Sequence, residues 1–181
     1  MNECYCSRTE TSTETGTAAV EDLSWGPDDT VLVVFGSRSV ASLDGTLRQQ
    51  AKATILQLGQ QGFPEPDYIL SGGAGGADAV AEAIALELEC PMVVFAVGSV
   101  AERTMFRADL ADQPFETHVV ASYGDGDGPR SGNGAYLWRN CLMAAHATAG
   151  IGLWDGESSG TRRMIRSCRH HDVDPLYIHG V

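Results

Sequence analysis

Residues 71–78 constrain the fold most strongly, because they place four glycines between a strand pattern and a helix pattern. An apolar run at 67–70 precedes this stretch, and apolar residues at helical spacing follow it as far as Leu88. Glycine allows the backbone to turn sharply and a ligand to approach it closely. The unpaired N–H groups in the first turn of the following helix favour an anion. The stretch therefore predicts a phosphate-binding turn.

Strand and helix patterns alternate along most of the chain. Apolar runs at 31–35 and 92–97 are typical of strands covered on both faces, a further strand is expected at 67–71, and helical spacing separates the three. The later elements are expected as a helix at 136–147, a strand at 148–154, a helix ending near 169 and a strand at 174–179. This order predicts an α/β, Rossmann-like doubly wound fold with a mainly parallel sheet of about five to six strands in a single domain.

Two segments lack these patterns. Residues 1–28 are rich in Thr, Ser and Glu, which predicts a disordered acidic tail before a domain at 29–181. Residues 99–134 are expected to hold a short helix at 101–112, a short strand at 118–121 and a loop at 124–129. That loop lacks the spacing and the closing glutamate of a calcium-binding EF-hand, so we predict a solvated loop or a flap over the site.

The chain is strongly acidic. Its formal net charge is −12, and Lys52 is the one lysine among 12 basic residues. This composition favours a halophilic surface adapted to high salt, and an ordinary acidic cytosolic protein is the alternative. It disfavours nucleic acid as a partner. No apolar stretch is long enough to cross a bilayer and no signal-peptide pattern occurs, so we expect a soluble, cytoplasmic protein without a membrane partner.

The five cysteines predict neither a disulfide framework nor a zinc site, because their number is odd and no CxxC pair occurs. Cys4 and Cys6 are expected to be free thiols, with a transient metal or redox role as the alternative. No metal is indicated, and the sequence does not specify a cofactor.

Three strand exits, at 36–38, 71–78 and 155–161, carry residues suited to an anionic ligand. In an open parallel sheet the carboxyl ends of the strands share one edge, and ligands bind where the strand order reverses. We expect the first strand and the strand at 148–154 to flank that point, with a nucleotide-sized anion bound there. The predicted ligand-binding residues are Gly36, Ser37, Arg38, Ser71, Gly72, Gly73, Ala74, Gly76, Asp78, Arg139, Asn140, Trp154, Asp155, Gly156, Ser158, Ser159, Gly160 and Thr161.

Several of these side chains have two interpretations. The hydroxyls of Ser158, Ser159 and Thr161 suit a phosphate, and Ser159 also suits a helix cap. Trp154 is placed either to stack on a base or to fill the core. Arg139, on the preceding helix, suits a phosphate or a carboxylate because its guanidinium donates hydrogen bonds in a fork.

Charged side chains near the strand exits also have two interpretations. Arg162 and Arg163 fall in the first turn of a predicted helix, where they oppose the helix dipole unless an anion lies nearby. Otherwise they are solvated arginines that pair with surface carboxylates. Asp78, Asp155 and Glu157 are candidates for acid–base chemistry. Asp78 equally suits a capping role, so no catalytic residue is assigned.

Four motifs, in this order, resemble the YspA-like branch of the SLOG superfamily. They are Gly36-Ser37-Arg38, Ser71-Gly72-Gly73-Ala74-x-Gly76-Ala77-Asp78, Arg139-Asn140-x-x-Met143 and Trp154-Asp155-Gly156-x-Ser158-x-Gly160-Thr161. The superfamily also contains the DprA/Smf DNA-processing proteins and the cytokinin-activating LOG phosphoribohydrolases. The resemblance implies a Rossmann-like fold that binds a nucleotide or a nucleotide-derived ligand at its glycine-rich turns.

One departure from the LOG pattern bears on chemistry. The LOG enzymes carry Pro-Gly-Gly-x-Gly-Thr-x-x-Glu, in which the glutamate supports N-glycosidic cleavage, whereas Met164 stands at that position here. We therefore expect a domain that binds or senses a nucleotide or a nucleotide-derived small molecule. A hydrolase acting on a nucleotide or its N-glycosidic bond is the first alternative, and a DprA-like binder of single-stranded DNA is the second. The ligand's identity and the formation of a homo-oligomer are left open.

Overall fold

The computed structural model of the chain describes residues 23–42, 47–97, 116–121 and 133–179. Several sequence predictions lie outside these residues. They are most of the tail at 1–28, the helix at 101–112, the loop at 124–129 and the free thiols of Cys4 and Cys6. These stay predictions.

The described chain alternates strands and helices, as the sequence predicts. The strands are Val31–Gly36 (β1), Tyr68–Ser71 (β2), Met92–Val97 (β3), Glu116–Ala121 (β4), Ala149–Trp154 (β5) and Leu176–His179 (β6). The helices are Leu47–Gln60 (α1), Ala77–Leu88 (α2), Asn133–His146 (α3) and Ser159–His170 (α4), and a short 3-10 helix, Arg38–Ser42, follows β1.

The described strands form one six-stranded sheet in the order β4-β3-β2-β1-β5-β6, and every neighbouring pair is parallel. The sequence prediction of five to six mainly parallel strands agrees with this sheet. From β1 the chain moves outward through β2, β3 and β4, and then returns to the other side of β1. The strand order therefore reverses between β1 and β5, where Leu32 pairs with Ala149 and Gly36 with Leu153.

Both faces of β1 are buried, which explains why its sequence is continuously apolar. Leu32 and Val34 pack into an apolar cluster with α1 and α2 on one face of the sheet. Val31, Val33 and Phe35 pack into a second cluster with α3 and α4 on the other face. Since successive side chains of a strand point to opposite faces, a strand of this kind needs helices on both sides. The sheet is accordingly doubly wound.

The described cysteines differ in their state. Cys90 and Cys168 are free and buried, and burial raises the pKa of the Cys168 thiol to about 12. Cys141 is disulfide-bonded, whereas the sequence predicted no disulfide framework. Cysteine spacing does not reveal such a pair, because a disulfide depends on the distance between two Cα atoms in the folded chain.

The described α-helices have 12 or 14 residues. Not one of them combines the length and the apolar character that crossing a bilayer requires.

Candidate functional site

A cleft of about 590 Å³ opens at the carboxyl edge of the sheet, where β1 and β5 lie side by side. The exits of β1, β2 and β5 contribute to its wall, together with one face of α3 and the start of α4. The three strand exits that the sequence singled out therefore meet at one place. The lining residues are Phe35, Gly36, Arg38, Ser39, Ala74, Gly75, Asp78, Tyr136, Leu137, Arg139, Asn140, Met143, Asp155, Ser158, Ser159, Gly160, Thr161, Arg163 and Met164.

The predicted ligand-binding residues divide into those that line the cleft and those that lie around it. Residues in the cleft wall are Gly36, Arg38, Ala74, Asp78, Arg139, Asn140, Asp155, Ser158, Ser159, Gly160 and Thr161. Those outside the wall are Ser37, Ser71, Gly72, Gly73, Gly76, Trp154 and Gly156. Trp154 packs against the apolar cluster beneath α3 and α4, so its placement favours the core interpretation over stacking on a base.

Ser37, although outside the wall, joins the three strand exits. Its N–H donates to the carbonyl oxygen of Leu153 at 2.9 Å, and its own carbonyl oxygen accepts the N–H of Ala77 at 3.2 Å. Its hydroxyl oxygen accepts the N–H of Asp155 at 3.2 Å. Ser37 is buried, and its bonds reach the exit of β5 at Leu153 and Asp155 and the start of α2 at Ala77. Ser37 therefore holds the backbone of the strand exits in place without itself lining the cleft.

Two glycines are required because backbone packs on backbone at these exits. A Cβ on Gly36 would collide with the carbonyl oxygen of Leu153 and lie 2.8 Å from the Cβ of Ala77. Gly76, the N-cap of α2, has φ of 79°, which is in the left-handed region that favours glycine. A Cβ there would also collide with the backbone of Arg38.

The glycine-rich turn at 71–78 uses several of its own donors. The N–H of Gly73 donates to the hydroxyl of Ser71 at 3.2 Å. The N–H of Ala74 donates to Asp78 Oδ2 at 3.0 Å, and that of Ala77 is held by Ser37. The sequence predicted that this turn holds a phosphate, but its geometry leaves fewer free N–H groups than that prediction assumed.

The guanidinium of Arg139 fastens α3 to this turn. Nη1 donates to the carbonyl oxygen of Gly72 at 3.0 Å and lies 3.8 Å from Asp78 Oδ2. Nε and Nη2 both donate to Asn140 Oδ1, at 3.2 and 2.9 Å. The same guanidinium lies 5.6 Å from the centre of the Tyr136 ring. Arg139 therefore lines the cleft with most of its donors already engaged.

Asp155 organises the turn between β5 and α4. Its Oδ1 accepts the N–H groups of Glu157 and Ser158, each at 2.9 Å, and its Oδ2 accepts the hydroxyl of Ser39 at 2.8 Å. The pKa of this carboxyl lies far below its usual range. The largest cause is the hydrogen bond from the N–H of Ser158, followed by the N–H of Glu157 and the hydroxyls of Ser39 and Ser37. A carboxylate so firmly ionised is a poor general base, so Asp155 acts as a structural anion.

The start of α4 is the part of the cleft best suited to an anion. Ser158 is the N-cap, and its hydroxyl accepts the N–H of Thr161 at 3.3 Å. The capping role that the sequence gave to Ser159 therefore belongs to its neighbour. The carbonyl of Ser158 accepts the N–H of Arg162 at 3.1 Å. Among the described hydrogen bonds, the N–H groups of Ser159 and Gly160 have no acceptor.

Thr161 adds a further donor at this point. The residue is 3% exposed, and its Oγ1 has no hydrogen-bond partner in the described structure. Buried hydroxyls are nearly always paired. Since Thr161 forms part of the cleft wall, a bound acceptor in the cleft would satisfy it.

The net charge of the cleft wall is opposite in sign to that of the whole chain. Three arginines and two aspartates line it, a net charge of +1 in a chain whose net charge is −12. Arg38 and Arg163 are exposed, and neither forms an ion pair within the described residues. The cleft is therefore a local positive site on an acidic protein.

Part of the cleft wall is apolar. Phe35, Met143 and Met164 are buried and line the cleft together with Tyr136 and Leu137. An apolar surface next to a few polar groups is typical of pockets for small organic ligands. The arrangement suits a ligand with an anionic end and a flat or apolar end.

Sequence reasoning missed part of the wall. The residues that line the cleft without having been predicted to bind ligand are Phe35, Ser39, Gly75, Tyr136, Leu137, Met143, Arg163 and Met164. Phe35 and Ser39 flank a predicted turn, so their position next to it was a usable signal. The helical spacing predicted a helix at 136–147, and nothing in that spacing shows which of its residues reach the end of the sheet. Within the described ranges, no group of three or more His, Cys, Asp or Glu residues is placed to hold a metal ion.

The fold and the cleft together define an α/β protein of the Rossmann-like class, with a site at the reversal of strand order. No protein-family model and no curated protein sequence matches the chain. Among solved structures, the X-ray structure of DNA processing protein A (DprA) from Streptococcus pneumoniae is similar, with a TM-score of 0.57 and 20% sequence identity over 84% of this chain. The match covers 51% of that chain, so this protein spans about half the length of DprA. At this identity the likeness shows a shared fold.

Proposed function

We propose that the chain belongs to the YspA-like branch of the SLOG superfamily and binds or senses a nucleotide or a nucleotide-derived ligand in the cleft. The phosphate lies at the start of α4, against the N–H groups of Ser159 and Gly160 and the hydroxyl of Thr161. Arg38 and Arg163 balance its charge, and the base or ribose lies against the apolar wall. The fold shared with DprA and the four sequence motifs support the superfamily assignment.

The buried hydroxyl of Thr161 is the observation that carries this proposal. A buried hydroxyl without a partner costs about 1–3 kcal/mol of folding free energy. A phosphate oxygen in the cleft would accept its proton and remove that cost. The helix dipole and the two free amides next to it favour the same negatively charged group.

A thermal-shift screen tests the proposal. AMP, ADP-ribose and NAD are added to the full chain, with ribose 5-phosphate and inorganic phosphate as partial ligands. A ligand present at a hundred times its Kd stabilises the native state by about 2.7 kcal/mol, which raises Tm by about 5–10 °C in a chain of this size. An unchanged Tm with every compound would contradict the proposal.

Two variants of Thr161 link any shift to this site. Thr161→Val keeps the shape and removes the hydroxyl, so the free protein should be equally stable or more stable while the ligand-induced shift is largely lost. Thr161→Ser keeps the hydroxyl and should keep the shift. Loss of the shift in both variants, or in neither, would show that the hydroxyl does not bind the ligand.

The hydrolase alternative has less support from the geometry. Asp155 is held as a structural anion, and Asp78 is engaged by Ala74 and Arg139. Release of free base or ribose phosphate from AMP, ADP-ribose or NAD measures this activity directly. If the wild type releases these products and Asp78→Asn or Asp155→Asn does not, the protein is a hydrolase and not a binding domain.

The single-stranded DNA alternative rests on the fold shared with DprA, since the net charge of −12 opposes it. Retention of an oligonucleotide that falls steeply with added salt would favour this alternative.

A further inference from the structure

The outer face of α4 concentrates positive charge on an acidic protein. Arg162, Arg163, Arg166 and Arg169 are exposed and lie on one helix of 12 residues, whereas the whole chain has 12 basic residues. The buried face of the same helix consists of Thr161, Met164, Ile165 and Cys168. We call the four exposed arginines the arginine face.

The arginine face is unfavourable for an isolated helix. Arg166 lies four residues from Arg162 and three from Arg163 and Arg169, and like charges at these spacings destabilise a helix. Arg162 and Arg163 also oppose the helix dipole. Arg169 pairs with Asp174 at 3.5 Å, but in the part of the chain that the structure describes Arg162, Arg163 and Arg166 form no ion pair. An anionic surface that covered this face would neutralise the positive charges and remove their mutual repulsion.

A matching anionic surface lies on the same chain, at the amino edge of the sheet. Asp28 and Asp29 precede β1, Glu65 and Asp67 precede β2, and Glu89 precedes β3. We call these five residues the acidic edge. No lysine or arginine occurs in 23–30, 61–68 or 86–91.

The members of the acidic edge are close in space. The N–H of Thr30, which follows Asp29, donates to Asp67 Oδ2 at 2.8 Å. Burial, with added contributions from the negative charges of Asp67 and Glu65, raises the pKa of the Cys90 thiol to about 11, and Glu89 is the adjacent residue. The edge therefore brings carboxylates from three strand starts onto one surface.

The two surfaces have matching dimensions. Neighbouring strands lie about 4.8 Å apart, so the starts of β1 and β3 are separated by about 10 Å. Arg162 and Arg169 are seven residues apart, which is about 10 Å along a helix. One row of arginines thus spans one row of carboxylates.

We propose that the arginine face of one copy of this chain docks on the acidic edge of a second copy. The two surfaces differ and lie on separate parts of the molecule, so the contact is heterologous and each copy has one surface left for a further copy. Repulsion between two chains of net charge −12 opposes this contact. At an ionic strength of about 0.1 M that repulsion is screened beyond about 10 Å, whereas directly apposed charges still attract.

Neutral variants of each surface test the contact. Arg162→Gln/Arg166→Gln removes two cations outside the wall of the cleft, and Glu65→Gln/Glu89→Gln removes two exposed carboxylates. Lys52→Gln, on α1, is the control for the loss of one exposed cation outside the arginine face, where Lys52 pairs with Glu87 at 3.5 Å. Circular dichroism and Tm establish that each variant is folded.

Sedimentation velocity over a concentration series in about 0.1 M salt measures the mass. The wild type and the Lys52 control should self-associate, and each double variant should associate about tenfold more weakly or not at all. An equimolar mixture of the two double variants should form a one-to-one dimer that does not grow, because one intact arginine face meets one intact acidic edge.

Three results would overturn the proposal. They are a wild type that stays monomeric throughout the series, an association that both double variants retain, and a mixture that forms no dimer. If the arginine variant instead loses retention of a single-stranded oligonucleotide while its mass is unchanged, the arginine face binds nucleic acid and not a second copy.

Discussion

Gly36 and Gly160 both line the cleft, yet a side chain at the two positions has opposite consequences. A Cβ on Gly36 collides with backbone at the exit of β5, whereas the nearest atom to a Cβ on Gly160 is the hydroxyl oxygen of Ser158 at 3.9 Å. We expect Gly36→Ala to lower the free energy of unfolding by about 3 kcal/mol, since the backbone must shift to accept it. Gly160→Ala should leave it unchanged or raise it by up to about 1 kcal/mol. Urea unfolding of both variants measures the difference, and equal stability would contradict the packing of β1 on β5.

His171 gives the second prediction for a single residue. It is the C-cap of α4, and burial, aided by the positive charge of His170 and opposed by Asp172, lowers its pKa. The folded pKa lies below the unfolded value of about 6.5, so the unfolded chain binds more protons in between. Stability should therefore fall as the pH drops through about 6.5, and level off below the folded pKa.

The corresponding variant is His171→Gln, which removes the titrating group. Its Tm should change less than that of the wild type between pH values of about 7.5 and 5.5. Identical pH dependence in the two proteins would assign the effect to another group.

Single residues also show where sequence reasoning reached its limit. Ser158 and Ser159 are adjacent hydroxyls before a helix, and a shift of one residue in the start of that helix decides which of them caps it. Arg139 has the chemistry of a phosphate ligand, but its hydrogen bond to Gly72 depends on how α3 lies against a turn more than sixty residues away in sequence. The sequence therefore indicates which kinds of hydrogen bond a side chain can form, but its actual partners depend on the folded structure.

Among the elements, α3 and the turn at 71–78 are joined chiefly through Arg139. Removal of this side chain leaves the carbonyl of Gly72 without its donor and the buried carboxylate of Asp78 without its counter-charge. We expect Arg139→Met to lower the free energy of unfolding by about 2–3 kcal/mol. Arg139→Lys restores the charge without the forked geometry and should recover only part of this loss.

A double-mutant cycle with Asp78→Asn isolates the pair. The loss in Arg139→Met/Asp78→Asn should be smaller than the sum of the two single losses, because the single variants each leave a partner behind. Strict additivity would show that the two side chains do not interact.

The elements themselves were the most predictable level of structure. The continuous apolar runs of β1 and β3 required helices on both faces, and the strand exits of β1, β2 and β5 had to share one edge once the sheet was parallel. The orientation of α3 was not predictable in this way. Tyr136 and Leu137 reach the cleft because of where the helix lies along the sheet, and helical periodicity specifies only which residues share a face.

For the whole molecule, the net charge of −12 leads to a prediction about salt. The chain has 24 carboxylates and 12 cations, so the mutual repulsion of the carboxylates destabilises the compact state until salt screens it. We expect Tm to rise steadily as KCl increases from about 0.05 M to above 1 M. Equal concentrations of a neutral osmolyte provide the control for effects unrelated to charge. A Tm that is constant or falls with KCl would argue against adaptation to high salt.

The position of β1 in the centre of the sheet also affects how the chain acquires its structure. β1 pairs with β5, and Leu32 and Ala149 are separated by more than a hundred residues. During synthesis the hydrophobic edge of β1 therefore emerges long before the strand that covers it. Closing so large a loop slows folding, since its entropic cost precedes the gain from the contact. The cleft is incomplete until β5 pairs with β1. A nascent or truncated chain that ends before β5 therefore cannot hold a ligand, and its exposed β1 strand makes it prone to aggregate.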